Sequence, residues 1–317
     1  MAQQQEVSVV LGDERVKLGR VSAVVHRAAK APAHALVVVL HGLGDHAHYQ
    51  DEVIRACLRH PRTAALALDF PGHGESEGPR GHVDEWSDYE DAVVDCLAYG
   101  EATFPLAEVV LYGNSMGGLV AIDVGLRRGQ SIASVLASAP MVALPVNAVV
   151  KEALKGIGWI APTKTVDIDP KAEPPRHGVC TLGWLRHAAS ACDRLKKEQL
   201  LLGDDEDDDD DAVKPPITLF IGDKDPIVSQ SDVRELADRL HCDAIMVYNG
   251  SGHEPFANDR FGRPDKNKRK YINDVAMLVT DVATTKAAVL ANERPDDDDD
   301  DDDERKKSRH SRRLGPK

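Results

Sequence analysis

The chain has 317 residues, room for one large core with insertions and tails, because α/β folds of roughly 200 to 250 residues commonly form a single unit. Its formal net charge is −14, yet 17 of its 53 acidic residues fall in two runs, 204–211 and 296–304, and the rest of the chain holds 36 acidic against 39 basic residues. A near-neutral folded part excludes a surface built for a polycationic partner, and five cysteines without a C-x-x-C pair argue against a disulfide framework or a zinc knuckle.

The first residues, Met1-Ala-Gln-Gln-Gln-Glu, have neither the basic start nor the apolar stretch of a secretory signal, and Ala2 is incompatible with myristoylation. The expectation is a cytoplasmic or nuclear protein in a reducing compartment. Residues 1–20 are taken as an N-terminal lead-in. From residue 21 short apolar runs at 21–26, 36–40, 64–68, 109–112, 134–137, 217–221 and 244–248 alternate with helix-period segments at 50–59, 85–104, 115–127, 230–240 and 268–290. Most of the runs are continuous, which predicts strands buried on both faces of a mostly parallel central sheet with flanking helices. The core is assigned to 21–140 and 213–292.

Residues 129–150 carry no charged side chain for 22 positions, long enough to raise the question of a membrane span. Pro140, Pro145 and Asn147 interrupt the stretch, so no transmembrane segment is expected. The strand-helix rhythm then breaks, and 141–202 is assigned to an inserted helical cap or lid with a Pro-rich connector at 173–175. In it Val146, Val149, Val150, Ala153, Leu154, Ile157 and Ile160 recur at helical spacing, a stripe suited to core packing or to the roof of an apolar pocket. The acidic loop 203–212 and the acidic-then-basic tail 293–317 lack the apolar content to fold and are expected to stay solvated. The basic stretch 305–313 suits anionic lipid or nuclear entry, and no nucleic-acid-reading module accompanies it.

The chemistry centres on Val109-Val-Leu-Tyr-Gly-Asn-Ser-Met-Gly-Gly, where G-x-S-x-G stands between an apolar strand and a helix-forming stretch. A serine on such a sharp turn projects its oxygen clear of the sheet, which makes Ser115 the candidate nucleophile. Gly74-Glu-Ser-Glu-Gly matches the same pattern, but Pro79-Arg-Gly follows it instead of a helix, so Ser76 reads as a loop residue. A serine hydroxyl needs an imidazole to take its proton and a carboxylate to orient that imidazole. Gly222-Asp-Lys-Asp and Gly250-Ser-Gly-His both follow expected strands, offering Asp225 or Asp223 and then His253 in the order serine, acid, histidine. His41, His46 and His48 are closely spaced, but no carboxylate or cysteine pattern completes a metal site, and neither a metal nor another cofactor is expected.

Five motifs in register, His41-Gly-Leu-Gly-Asp-His, Asp69-Phe-Pro-Gly-His-Gly-Glu-Ser-Glu-Gly, Gly113-Asn-Ser-Met-Gly-Gly, Gly222-Asp-Lys-Asp and Gly252-His-Glu, make the chain resemble the monoacylglycerol lipase and lysophospholipase branch of the α/β-hydrolases (serine aminopeptidase S33 type) over residues 20–290. The resemblance implies the α/β-hydrolase fold, with Ser115 as nucleophile, His253 as general base and then acid, and Asp225 as the orienting carboxylate, ahead of Asp223. It places the oxyanion hole on the backbone N–H groups of Met116 and Leu43. It implies a lipid-like ester substrate and peripheral membrane contact through the cap helix. Alternatives on the same elbow are an acyltransferase or an esterase for a smaller substrate, and, outside catalysis, a hydrolase-fold receptor. Nothing in the sequence sets the oligomeric state.

Overall fold

Continuous apolar runs must be covered on both faces, and the computed structural model, which describes residues 14–146, 148–198, 214–258 and 262–292, arranges them accordingly. In chain order the elements are β1 (Glu14–Leu18), β2 (Val21–His26), β3 (Ala35–Leu40), α1 (Asp51–Cys57), β4 (Thr63–Asp69), α2 (Ser87–Thr103), β5 (Glu108–Asn114), α3 (Met116–Arg127) and β6 (Ser134–Ser138). There follow α4 (Ala148–Ile160), β7 (Thr165–Asp167), β8 (Val179–Thr181), α5 (Leu182–Glu198), β9 (Ile217–Gly222), α6 (Gln230–Arg239), β10 (Ala244–Tyr248) and α7 (Lys268–Asn292). Eight strands form one sheet in the order β1-β2-β4-β3-β5-β6-β9-β10. From β4 to β10 every pairing is parallel, and the two pairings of β2 are antiparallel.

The period-2 alternation of a strand divides β3 between two cores. Leu36, Val38 and Leu40 face α2 and α3 with Val93, Leu119 and Ile122. Val37 and Val39 face α1 and α7 with Val53, Ile54, Tyr271 and Val275. Burying each such aliphatic side chain contributes roughly 1.5–3 kcal/mol, so helices on both faces are the natural solution for an all-apolar strand. The five cysteines are free thiols, Cys57, Cys96, Cys180 and Cys192 buried and Cys242 half-buried.

The sheet begins earlier than the lead-in reading of 1–20 allowed, because β1 is an antiparallel edge strand on β2. Its Glu-Arg-Val-Lys-Leu sequence is exposed or half-exposed throughout and lacks the apolar run that marks the central strands. Within the uncharged stretch 129–150 lie a 3₁₀ turn at Gly129–Ser131, the strand β6, an irregular segment up to residue 146 and, from Ala148, the start of α4, and no helix among the described residues is long and apolar enough to cross a membrane.

Between β6 and β9 lie α4, the two-stranded β7-β8 hairpin and α5. α5 is part of the core: Trp184 donates its Nε1–H to the Tyr89 hydroxyl at 3.1 Å, and Arg194 bonds Glu90 at 2.6 Å and Asp123 at 3.1 Å. α4 rests on α5, with Lys151 and Lys155 both paired to Asp193. The apolar stripe faces outward: Val149 is 80%, Ile157 46% and Ile160 85% exposed, and Trp159 beside it is 72% exposed. The core-packing reading of the stripe is therefore corrected, since an apolar stripe identifies a face but not which way it turns. The acidic runs 204–211 and 296–304 and the basic stretch 305–313 lie outside the described residues.

Candidate active site

Parallel strands all end on the same edge of a sheet, and the residues singled out by the sequence sit at that edge. Ser115 follows β5, Asp225 follows β9 and His253 follows β10, with only β6 between β5 and β9. Ser115 is the N-cap of α3 with φ 54 and ψ −115, a backbone conformation that costs a non-glycine residue on the order of 1–3 kcal/mol. The strain is held by the neighbours: Ser115 N–H donates to Ser138 O at 2.9 Å, and Met141 N–H donates to Ser115 O at 3.0 Å. Gly113 and Gly117 admit the turn, because a Cβ at Gly113 would strike the Gly117 carbonyl and one at Gly117 the carbonyls of Leu40 and His41. Every residue from 110 to 125 is buried except Ser115. The side chain makes no cap bond to α3, whose N-terminus carries a positive partial charge and the N–H of Met116.

His253 Nδ1–H donates to Asp225 Oδ2 at 2.7 Å, leaving Nε2 as the acceptor nitrogen. Both side chains are shielded, 12% and 3% exposed. Asp225 Oδ1 accepts the N–H groups of Ile227 at 2.8 Å and Val228 at 3.0 Å. Burial alone would raise the Asp225 carboxyl, but the hydrogen bond of His253, its charge when protonated, and the two N–H donors outweigh it, and the carboxyl lies below its ordinary range. Asp223 is turned elsewhere and accepts the N–H of Gly250. The structure thus brings Asp225, and not Asp223, to His253.

The loop after β3 closes over the elbow, with the Cβ position of Gly42 at 3.5 Å from the Ser115 Cβ, and Leu43 packs partly buried on the core. Two buried groups, each opening one of the motifs in the sequence but given no role there, hold this loop. Asp69, fully buried, accepts Ala47 N–H at 2.6 Å and Glu75 N–H at 3.1 Å and pairs with Arg15 of β1 at 2.8 Å. Despite burial, these donors keep its carboxyl below the usual value. His41 donates Nδ1–H to Gly42 O at 2.7 Å and accepts Phe70 N–H on Nε2 at 3.0 Å, so its ring is fixed as one neutral tautomer. Burial pushes its pKa down to about 4 against the pull of the Gly42 carbonyl and Asp69.

Ser76 is consumed by structure: its hydroxyl donates to Asp69 O at 2.5 Å and accepts Ser22 N–H at 2.8 Å. His46 and His48 join no metal-binding group, and among the described residues no three His, Cys, Asp or Glu side chains are placed to hold a metal ion. Tyr49, Glu254 and Arg176 also lie at this edge. Tyr49 donates its hydroxyl to Glu254 at 2.8 Å, and Arg176 Nε pairs with Asp45 at 2.7 Å. Glu254, inside the Gly252-His-Glu motif, and Asp45, inside His41-Gly-Leu-Gly-Asp-His, carried a sequence signal, and Tyr49 and Arg176 carried none.

A family profile described as "Serine aminopeptidase, S33" matches residues 31–260. A phospholipase of Bacillus subtilis is 36% identical over 136 residues, which are 42% of this chain and 51% of that protein. A monoacylglycerol lipase of Mycolicibacterium smegmatis is 25% identical over 229 residues, 70% of this chain and 81% of that protein. The chain therefore spans about half the length of the first of these relatives. Among solved structures, the monoacylglycerol lipase of Paleococcus ferrophilus superposes with a TM-score of 0.69 at 22% identity, covering 83% of this chain and 99% of that one. A soluble variant of monoglyceride lipase from Saccharomyces cerevisiae, in complex with a substrate analog, gives 0.70 at 15% identity over 89% and 98%. At such identities the likeness speaks for the fold, an α/β-hydrolase.

Proposed function

Because the chain belongs to the serine aminopeptidase S33 family, we propose that it is a serine hydrolase that cleaves a carboxylic ester through an acyl-enzyme, as a monoacylglycerol lipase or lysophospholipase. It is a hydrolase of the lipase and esterase type. The observation that carries the mechanism is the strained, solvent-reaching Ser115 on the same sheet edge as the His253–Asp225 pair. In this reading His253 Nε2 takes the Ser115 proton as Oγ attacks the substrate carbonyl, and Asp225 stabilises the imidazolium that forms. The tetrahedral oxyanion is met by the N–H groups of Met116, at the positive end of α3, and Leu43. Collapse returns the proton to the departing alcohol, and water repeats the sequence on the acyl-enzyme to release the acid.

The lipid assignment is supported by α4. Val149, Trp159 and Ile160 present an apolar face beside an insertion whose other helix is anchored, and such a face suits the boundary of a bilayer or micelle. We assign it peripheral contact with a lipid surface. The cysteine pattern supports a reducing compartment.

The test is fluorophosphonate labelling followed by hydrolysis of monoacylglycerols, lysophospholipids and short-chain nitrophenyl esters. Labelling and turnover are expected to vanish in Ser115→Ala and to persist in Ser76→Ala. Labelling that survives Ser115→Ala overturns the mechanism, and turnover confined to short esters overturns the lipid assignment.

A further inference from the structure

A strap of the inserted segment touches the site. Immediately before β8, His177 donates its N–H to Gly44 O at 2.9 Å, and further along Thr181 N–H bonds Gly81 O at 3.0 Å. Gly44 sits at φ +82, and a Cβ there would collide with the His177 carbonyl, so the loop after β3 and the strap are seated backbone on backbone. Beside that contact Arg176 Nε bonds Asp45 Oδ1 at 2.7 Å, and its guanidinium lies 4.6 Å from the Tyr49 ring centroid. Tyr49 in turn bonds Glu254, the residue next to His253.

The Asp45 side chain is only 3% exposed, and the Cβ position of Gly42 is 3.1 Å from its Oδ2 and 3.5 Å from the Ser115 Cβ. The carboxylate therefore lies against the loop that carries Leu43. Burial, then the Glu254 carboxylate, push Asp45 up to about 7, and the charge and hydrogen bond of Arg176 and the charge of a protonated His253 oppose them. One cation from the insertion thus reaches the Leu43 loop through Asp45 and the His253 loop through Tyr49 and Glu254.

We infer that Arg176, through Asp45, is a positioning residue that sets the Leu43 N–H against Ser115, making the seated strap of the insertion a condition for turnover. The inference rests on the reading of Ser115 and the Leu43 N–H given above. A bidentate-capable, planar cation suits a site that needs both an in-plane carboxylate bond and a stack on Tyr49, which a lysine ammonium does not supply together. Displacing an oxyanion donor by a fraction of an ångström reduces rate without changing how the ground-state ester binds.

The experiment uses the full chain and p-nitrophenyl butyrate, a substrate small enough to ask little of α4. Wild type, Asp45→Asn, Arg176→Gln and the double variant are compared by kcat, KM, fluorophosphonate labelling rate and unfolding midpoint. Each single change is expected to lower kcat and the labelling rate on the order of 10- to 100-fold, with KM held within about threefold. The double variant is expected to fall no further than the weaker single, because both break one contact. A folded single variant with kcat within about twofold of wild type, a loss that lies in KM alone, or losses that multiply in the double variant overturns the inference. If Arg176→Gln does not fold, Arg176→Lys decides: a loss of about threefold or more in kcat at unchanged KM supports the role, and wild-type kcat overturns it. If wild type itself is not labelled at Ser115, the hydrolase reading fails; if it is labelled and the variants react at the same rate, only the role of Arg176 fails.

Discussion

Acidification should remove stability through His41, by an amount set by its burial. The ring is 1% exposed and both nitrogens are committed, Nδ1–H to Gly42 O and Nε2 to Phe70 N–H, so protonation breaks the second bond and buries a charge. With a folded pKa of about 4 against an ordinary 6.5, the unfolded chain takes up the proton first as pH falls. Stability is therefore intact above the unfolded value and is lost as pH drops from about 6.5 towards 4, by about 2 kcal/mol at pH ~5 and about 3 kcal/mol at pH ~4. His73, with its ring centroid 5.0 Å away, is also pushed down by burial and then by His41, and burial, the larger cause, remains in the variant. Urea unfolding of wild type and His41→Gln isolates the effect. Near neutral pH the variant should be less stable by about 1–3 kcal/mol, the cost of two buried hydrogen bonds. Between about pH 7.5 and 5 the gap should shrink by about 2 kcal/mol, because glutamine does not titrate. A gap that stays constant, or widens, would refute the buried neutral imidazole and with it the account of how the loop after β3 is held.

Asp225→Asn should lower kcat on the order of 1,000- to 10,000-fold, whereas Asp223→Asn, which disturbs only the bond to Gly250, should stay within about tenfold; steady-state kinetics on a soluble ester decides, and equal losses would return Asp223 to candidacy. A charge on the outer face of α4 belongs at Val149 or Ile160 and not at the half-exposed Val150. Val149→Asp or Ile160→Asp should cut hydrolysis of a long-chain monoacylglycerol in vesicles by about tenfold or more while leaving p-nitrophenyl butyrate within about twofold. Equal effects on both substrates, or none, would count against a lipid-facing α4.

What was legible in the sequence followed from local signals. The Ser115 elbow needs glycines between an apolar strand and a helix, and all of that information lies within ten residues. The central strands announced themselves as apolar runs, and α7, expected at 268–290, spans Lys268–Asn292. β1 escaped because an edge strand is not an apolar run, and β7 and β8 because three residues carry no period. The direction of the α4 stripe was not legible, since periodicity defines a face and only packing turns it. Arg176 was the least accessible of all: its partner Asp45 lies 131 residues away in the chain, and a surface-like Pro-Pro-Arg-His segment gives no hint of a buried carboxylate. The choice of Asp225 over Asp223 came from resemblance in the sequence and has a geometric counterpart in the bond to His253.

The five thiols give the protein an unusual chemical quietness. Burial pushes Cys57, Cys96 and Cys192 up to about 12, and Cys180 and Cys242 to about 11. The thiolate is the reactive form, so near neutral pH fewer than roughly one in a thousand of these sulfurs is poised to meet a maleimide or an oxidant. The natural sequence is therefore already a low-background host for a single introduced cysteine. A fluorophore attached at a position such as Val149 would report on its own surroundings, in water or at a lipid surface, without first stripping the core of its sulfur.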